Sequence, residues 1–381
     1  MARLDSRVVT VVRISGVEDF EALGRRWRDL EHRADCSFFQ SWTWYGCLAA
    51  ERFPDPVLVE ATEAGRTVAL ALFNRVRHRF GPSALYLGES GQAELDCPYI
   101  EQNGVLAETG RAEELTVICL RAVASRYRLI LSGIGAPVLA AVRQAASIVC
   151  LVRTQLSPCA MLRQGGGDYL LRRSANTRQQ IRRSARLYEA AGAIVTQRAE
   201  TVPAALHMLD ELAGLHQAAW TARGQPGSFA RPFFRRFHAA LIAEALPRGE
   251  VTLLRISSAN AAIGLVYNFS FRSRMYAYQS GFDYGDAQAA ARPGLVCHHA
   301  AIRHAADQGY DKYDFLAGED RYKVSMSDAA DPLYWVEAGP VRSFGLLRRR
   351  VRTAAVSILR HVPADRRWLR KKIGSGPPRA V

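Results

Sequence analysis

Ala291-Arg292-Pro293-Gly294-Leu295, followed by Tyr310-Asp311-Lys312-Tyr313-Asp314-Phe315-Leu316-Ala317-Gly318-Glu319-Asp320-Arg321-Tyr322-Lys323, decides how this chain is read. The first stretch is a cationic turn that opens a helix. Its exposed backbone N–H groups and positive dipole end suit phosphate groups. The second is a strand ending in carboxylates, then a Gly turn, then a Tyr-Lys pair. Strand, phosphate-type turn, helix and polar strand end, in that order, describe a cofactor site.

Working outward, helical spacing predicts a helix over about 168–191, closed by Gly192, then a strand over 193–198 and a helix from Pro203 to about Trp220. Pro232 opens a further helix to about Leu246. Strands are expected over 250–256, 262–271 and 274–281, turning at Ser258-Ala259-Asn260 and at Arg272-Ser273. The helix 294–308, the strand 312–316 and a last strand near 333–338 complete this half. The first half reads in nearly the same order. Strands are expected at 8–14, 56–61, 66–73, 84–88, 128–132 and 147–154, with helices at 17–33, 41–52 and 109–126. The chain is therefore an internal duplication of elements, not of residues. The first copy lacks the Arg-Pro-Gly turn and the Asp314–Lys323 cluster, so it reads as a spent copy that scaffolds the substrate side.

Composition bounds the function. The chain has 381 residues, enough for two domains, with 49% apolar residues and a mean hydropathy of −0.10. No stretch reaches the roughly 18 apolar residues of a membrane span. The Val-rich run at residues 8–12 is bracketed by Arg7 and Arg13 and reads as a strand, which points to the cytoplasm. Seven cysteines without CxxC or Cys/His ligand spacing read as reduced, buried thiols, and no metal is expected. His298 and His299 diverge on their helix and do not share an ion. The net charge of +15 is concentrated in two places. Residues 171–186 carry +6 and residues 342–381 carry +11, which leaves a near-neutral globule with two basic patches. In the first patch Ser174, Thr177, Ile181, Ala185 and Tyr188 form one stripe and arginines fill most of the rest. In the second, Phe344, Leu347, Val351, Ala355, Ile358 and Val362 form the apolar stripe of a basic helix suited to an anionic membrane surface.

The element order with a phosphate turn between the fourth strand and the third helix of the second half resembles the GNAT-type N-acyltransferase fold. Two such halves resemble double-GNAT proteins, nearest the CelD-like acetyltransferases associated with cellulose and exopolysaccharide biosynthesis, and more distantly the FemAB-like aminoacyl transferases. The residues that carry the resemblance are Ser37-Phe38-Phe39-Gln40-Ser41-Trp42-Thr43-Trp44, Leu215-His216 through Trp220, Tyr278-Gln279-Ser280-Gly281-Phe282-Asp283, Arg292-Pro293-Gly294, and Asp314 to Glu319 with Tyr322-Lys323. Only Arg292-Pro293-Gly294 stands in for the longer pyrophosphate signature of full GNAT enzymes.

The resemblance implies an α/β (α+β) fold of two tandem GNAT-like domains, each a mixed, mostly antiparallel sheet flanked by helices. Residues 1–160 would be a degenerate N-terminal domain, 161–192 an Arg-rich connecting helix, 193–341 the domain with the cofactor site, and 342–381 a basic tail. It further implies N-acyl transfer from acyl-CoA, with acetyl-CoA as co-substrate, to a small-molecule or sugar amine in polysaccharide or cell-envelope biosynthesis. Arg292, Pro293, Gly294 and Lys323 would then meet the carrier's phosphates, with Gln279 and Gly281 beside it. Lys323 is notable because the chain has 47 Arg and only four Lys. Backbone N–H groups of 275–281 would polarise the carbonyl. Asp314 and Glu319, with Asp283 third, are the candidate bases, and Tyr322 is the acid for the leaving thiolate. His216, Trp220 and Asp283 would line the acceptor side. The partner surfaces are an anionic membrane face met through 342–372 and, less favoured, tRNA; DNA is not expected. Two alternatives stay open: a FemAB-like transferase using aminoacyl-tRNA, and a catalytically inactive membrane-associated interaction module.

Overall fold

The computed structural model describes residues 9–79, 81–163, 169–285 and 291–341. The basic tail 342–381 lies outside the described residues. The first half runs β1 (Thr10–Ser15), α1 (Phe20–Glu31), α2 (Trp42–Gly46), α3 (Ala49–Arg52), β2 (Pro56–Glu63), β3 (Arg66–Val76), β4 (Ala84–Leu87), β5 (Leu106–Ala107), α4 (Ala112–Ala124), β6 (Arg128–Ile134), α5 (Ala136–Ala145) and β7 (Ile148–Met161). The second half runs α6 (Ala175–Glu189), β8 (Ile194–Arg198), α7 (Val202–Thr221), α8 (Pro232–Ala245), β9 (Val251–Ser258), β10 (Ala261–Phe271), β11 (Arg274–Phe282), α9 (Pro293–Asp307), β12 (Lys312–Asp314), α10 (Arg321–Ser325) and β13 (Ala329–Gly339).

Local chemistry explains where these boundaries depart from the sequence-based reading. The helix expected over 41–52 is broken because Leu48 adopts φ +50° between α2 and α3. The helix expected from 168 starts at Ala175. Tyr169–Arg172 form a 3-10 turn, and Ser174 caps α6 by accepting the Thr177 N–H. Helix α5 was missed, although Pro137 in its first turn is an ordinary helix opener.

The strands form a single sheet ordered β1-β2-β3-β4-β6-β13-β7-β12-β11-β10-β9-β8, with β5 beside β3. The two mixed sheets read from the sequence are thus the two arms of one. They join by exchange: β13, the last strand among the described residues, pairs β6, while β7 of the first half pairs β12. Between the arms β7 and β13 run antiparallel along their lengths, from Ile148 opposite Gly339 to Cys159 opposite Ala329.

Side-chain alternation divides the core into layers. On β10, Leu265, Tyr267 and Phe269 face a core shared with α1, α2, α7 and α8, while Ile263 and Val266 face α9. The shared core is strongly aromatic and crosses the halves. Phe38 stacks on Phe269 at 4.2 Å, and Trp44 meets the edge of Phe237 at 5.1 Å.

Each arm also holds one parallel strand pair that stops early. Ala84–Tyr86 of β4 pair Arg128–Ile130 of β6, and Arg274–Tyr276 of β11 pair Lys312–Asp314 of β12. Beyond these residues the strands leave a notch. In the first arm a segment around Asn103 fills it. The Asn103 N–H donates to Gly133 O at 3.2 Å, and its amide donates to Leu87 O at 2.9 Å. The Tyr45 hydroxyl donates to Asn103 Oδ1 at 3.0 Å. Gly133, at φ +63°, is required because a Cβ there would come within 2.6 Å of Ile100 O. In the second arm the notch is open.

Asn103→Ala removes this fill's central bonds and leaves the Leu87 carbonyl and Tyr45 hydroxyl without partners in a dry site. A loss of about 2 kcal/mol is expected. Urea unfolding would measure it; an unchanged midpoint would mean that the segment does not hold the first notch.

Candidate functional site

The open notch is the floor of a cavity of about 960 Å³. Strand β11 supplies one side. Tyr278 is an extra residue in β11 at the register shift between Tyr267 and Asn268 of β10, a bulge that takes backbone groups out of the ladder. Helix α9 closes one end. Arg292 precedes it at φ +46° and Pro293 occupies its first turn. Gly294 lies on the cavity wall, where a Cβ would stand 3.2 Å from the Phe282 ring. The Arg292 guanidinium is exposed and donates to Gln180 Oε1 of α6. Asn176, Thr177 and Gln180 of α6 face the cavity, and Arg183, one turn beyond Gln180, is exposed. This end combines the positive end of the α9 dipole with cationic side chains, and the residues present fit an anionic diphosphate or phosphate group.

The facing wall comes from the first half. Tyr99 stacks on Tyr278 at 4.5 Å, and its hydroxyl donates to the Tyr278 carbonyl. Next to it, Glu101 is 5% exposed and its Oε2 accepts the Ala317 N–H at 2.6 Å. Burial drives the Glu101 pKa up to about 7, against the opposing pull of that N–H and of the nearby Lys323 charge. Lys323 Nζ is held by Ala317 O at 2.8 Å, and burial lowers its own pKa. A carboxylate that titrates near neutrality beside a cavity can accept a proton and give it up again.

His298 of α9 is 3% exposed and stacks on Tyr322 at 5.1 Å. The Tyr313 hydroxyl donates to Asn268 Oδ1 at 3.2 Å, so it accepts from His298 Nδ1, 3.3 Å away. Burial keeps this imidazole neutral, with its pKa down at about 3. Burial also raises the Tyr322 pKa, so its hydroxyl keeps its proton.

Of the residues expected from sequence, Gln279, Arg292, Gly294, Tyr322, Lys323, His216 and Trp220 meet around the cavity. His216 is buried against Phe229 at 5.1 Å, and Trp220 is 38% exposed. Others stand elsewhere. Asp314 is fully buried, and its carboxylate accepts from Ser157 Oγ at 2.7 Å, Gln102 Nε2 at 2.6 Å and the Leu316 N–H at 2.9 Å. Its side chain therefore ties β12 to the first half rather than pointing into the cleft. Glu319 is exposed on the turn outside the cavity lining. Asp283 accepts the Gly285 N–H at 2.9 Å as a turn cap. Gly281 faces α7, where a Cβ would collide with the Leu212 carbonyl, and Pro293 is buried in the first turn of α9.

Sequence reasoning missed Glu101, Glu89, Arg153 and Tyr99, all on the cavity wall. All four lie in the first half; Glu89, Tyr99 and Glu101 sit in or beside irregular segments with no periodic signal, while Arg153 sits within β7, where nothing local marks its cross-strand neighbour. The one available cue was the polar run Glu101-Gln102-Asn103 next to apolar Tyr99-Ile100. Among the described residues no group of His, Cys, Asp and Glu could hold a metal ion, and no helix is long and apolar enough to cross a membrane.

Residues 175–324 match the family described as "Acetyltransferase (GNAT) domain". No curated protein matches the chain. Among solved structures, FemX is similar over 84% of this chain and 96% of its own, at 9% identity and a TM-score of 0.57. L-PGS from Bacillus licheniformis is similar over 86% of this chain and 96% of its own, at 11% identity and a TM-score of 0.53. These likenesses establish a mixed α/β fold shared with FemX and L-PGS across nearly the whole chain, with the GNAT match confined to residues 175–324.

The charge of Lys323 lowers the Glu101 pKa, so Lys323→Met should raise it. Carboxyl-carbon NMR of glutamate-labelled protein should show a midpoint near 7 that moves up in the variant. A midpoint at the usual carboxylate value in both proteins would refute the assigned environment.

Proposed function

We propose that this protein is an N-acyltransferase that moves an acyl group, acetyl in the first instance, from an acyl-coenzyme A thioester to an amine, with Glu101 as general base. The observation that carries the reading is Glu101 itself: a buried carboxylate with a pKa of about 7, on the wall of the open notch that ends at the α9 N-terminus. Arg292, the Gly294 backbone and the positive end of the α9 dipole would hold the donor's phosphates.

Glu101 takes a proton from the acceptor nitrogen, directly or through one water. The nitrogen attacks the thioester carbonyl carbon, so a C–N bond forms and the C–S bond breaks. Backbone N–H groups of β11 beyond the Tyr278 bulge would stabilise the negative oxygen. Tyr322, which keeps its proton at neutral pH, would return one to the departing sulfur. Asp314 positions rather than reacts, since it holds Gln102 next to Glu101. The CelD-like resemblance makes polysaccharide or cell-envelope biosynthesis the proposed setting, with the acceptor an amine there.

A second reading keeps the chemistry and changes the donor to aminoacyl-tRNA, as the FemAB-like resemblance implies. The exposed Arg182, Arg183 and Arg186 on α6, next to the cavity mouth, favour it. The FemX likeness in fold is consistent with both donors.

Calorimetric titration separates the two readings. Micromolar acetyl-CoA binding, abolished by Gly294→Glu, is expected. If acetyl-CoA does not bind while tRNA binds with a steep salt dependence, the donor is the second one. Once an acceptor is in hand, kcat/KM should rise with pH through about 7, because the base must be unprotonated to act. Glu101→Gln should lower the rate by about 10²–10⁴-fold. A flat pH profile with an active Glu101→Gln protein would remove Glu101 from the mechanism.

A further inference from the structure

Among the cations on the cavity wall that have no role in the scheme above, Arg153 is distinguished by its ring contact. Arg153 of β7 lies directly opposite Trp335 of β13. Its guanidinium carbon stands 3.7 Å from the centre of the indole. Stacking at this distance fixes the guanidinium plane and leaves its edge of N–H donors free to meet a planar or tetrahedral anion. Arg153 and Trp335 both line the cavity. Among the described residues the Arg153 guanidinium has no hydrogen bond and no ion pair. The Glu89 and Glu101 carboxyls stand close enough for their charges to act on it, but neither is bonded to it.

The place of Arg153 is as informative as its lack of a partner. The segment 315–318 bonds along β7, with the Phe315 N–H on Pro158 O at 2.9 Å and the Gly318 N–H on Leu156 O at 3.0 Å. Arg153 lies further along β7, past the end of that segment. It is on the opposite side of the segment from β11 and α9, where the donor's phosphates would sit. Glu101 accepts from Ala317 of the same segment and acts electrostatically on both Lys323 and Arg153. An acceptor reaching Glu101 from the first-half side therefore passes Arg153.

Of the two acids whose charges act on Arg153, Glu101 is engaged by the Ala317 N–H and Glu89 is driven toward its neutral form. Glu89 Oε2 accepts from Ser132 Oγ at 2.6 Å, and burial together with the Asp96 charge pushes its pKa up, toward a neutral carboxyl that can itself donate. Asp96 is engaged by the Ser90 and Gly91 N–H groups at 2.6 and 2.8 Å and by Ser90 Oγ at 2.8 Å. A fixed guanidinium next to a protonated acid is an arrangement for holding an oxyanion.

We propose that Arg153 anchors an anionic group of the acceptor, a carboxylate or a phosphate, so that the acceptor is an amine that also carries an acid. The proposal rests on the acyl-transfer reading and deepens it from "an amine" to an anionic amine, such as an amino acid or a phosphorylated amino sugar.

The test uses the full chain, acetyl-CoA as donor and two matched acceptor pairs: 1,5-diaminopentane against lysine, and glucosamine against glucosamine 6-phosphate. Thiol release gives kcat/KM, and calorimetry gives binding of each acceptor and of acetyl-CoA. In the wild type the anionic member of at least one pair should be preferred by about tenfold or more. Arg153→Gln should erase that preference, read as the ratio of kcat/KM for the two members of a pair, while leaving acetyl-CoA affinity unchanged; the loss of its charge near Glu101 acts on both members alike and cancels in the ratio. Arg153→Lys should retain part of it. The lysine and phosphate pairs distinguish the two anion types. Equal use of both members, a preference that survives Arg153→Gln, or no binding of either anionic probe to the wild type would each overturn the proposal. Failure of acetyl-CoA to bind would instead sink the donor assignment, because the acceptor titrations read Arg153 independently of the donor.

Discussion

The antiparallel ladder between β7 and β13 is the constraint on which the rest of the molecule depends. Each of these strands extends from one half into the sheet of the other, so the arms cannot be placed independently. With β13 seated between β6 and β7, and β7 between β13 and β12, the aromatic helices of both halves face one continuous core. That core then brings the irregular segment 99–105 of the first half to the open notch of the second. The Tyr99–Tyr278 stack, the Gln102–Asp314 bond and the Glu101–Ala317 bond all cross this boundary.

The two arms differ where the site forms. Both arms contain a short parallel strand pair that opens into a notch, but only one notch remains a cavity. Asn103 and its neighbours satisfy the backbone groups that the first notch would leave bare, as buried polar groups require. The residues just before them on the same segment form the wall of the second. One stretch of chain thus closes the first notch and furnishes the second, and its rigidity in the first supports the geometry of the second. The raised pKa of Glu101 follows from the same arrangement, because a carboxyl carried on a packed segment into a dry boundary is desolvated more than it is compensated.

The elements themselves were largely legible in the sequence. Alternation along β10 and helical spacing through α7 and α9 come from local periodicity, and their boundaries agree with the reading to within a residue or two. The phosphate-type turn was legible because Arg292-Pro293-Gly294 is a local signal for a helix start. Asp314 shows the limit of such reasoning. A strand-end carboxylate looks available from sequence, yet three donors, two of them side chains from distant segments, bury it completely. Glu101 shows the converse: it looks like a loop acid and becomes the carboxylate with the shifted pKa at the cavity wall.

What the sequence by itself determined is most of the elements, their similar order in two halves, and the cationic helix start at one end of the cavity. All of these arise from interactions among residues a few positions apart. Only the tertiary structure decided which carboxylate faces the cavity, which notch stays open and where Arg153 stands free. Those outcomes depend on which strands become neighbours in the sheet, and the exchange of β7 and β13 sets Arg153 against Trp335, 182 positions later in the chain. Burial, and with it desolvation and charge, is a property of that long-range packing, and no local pattern of residues encodes it.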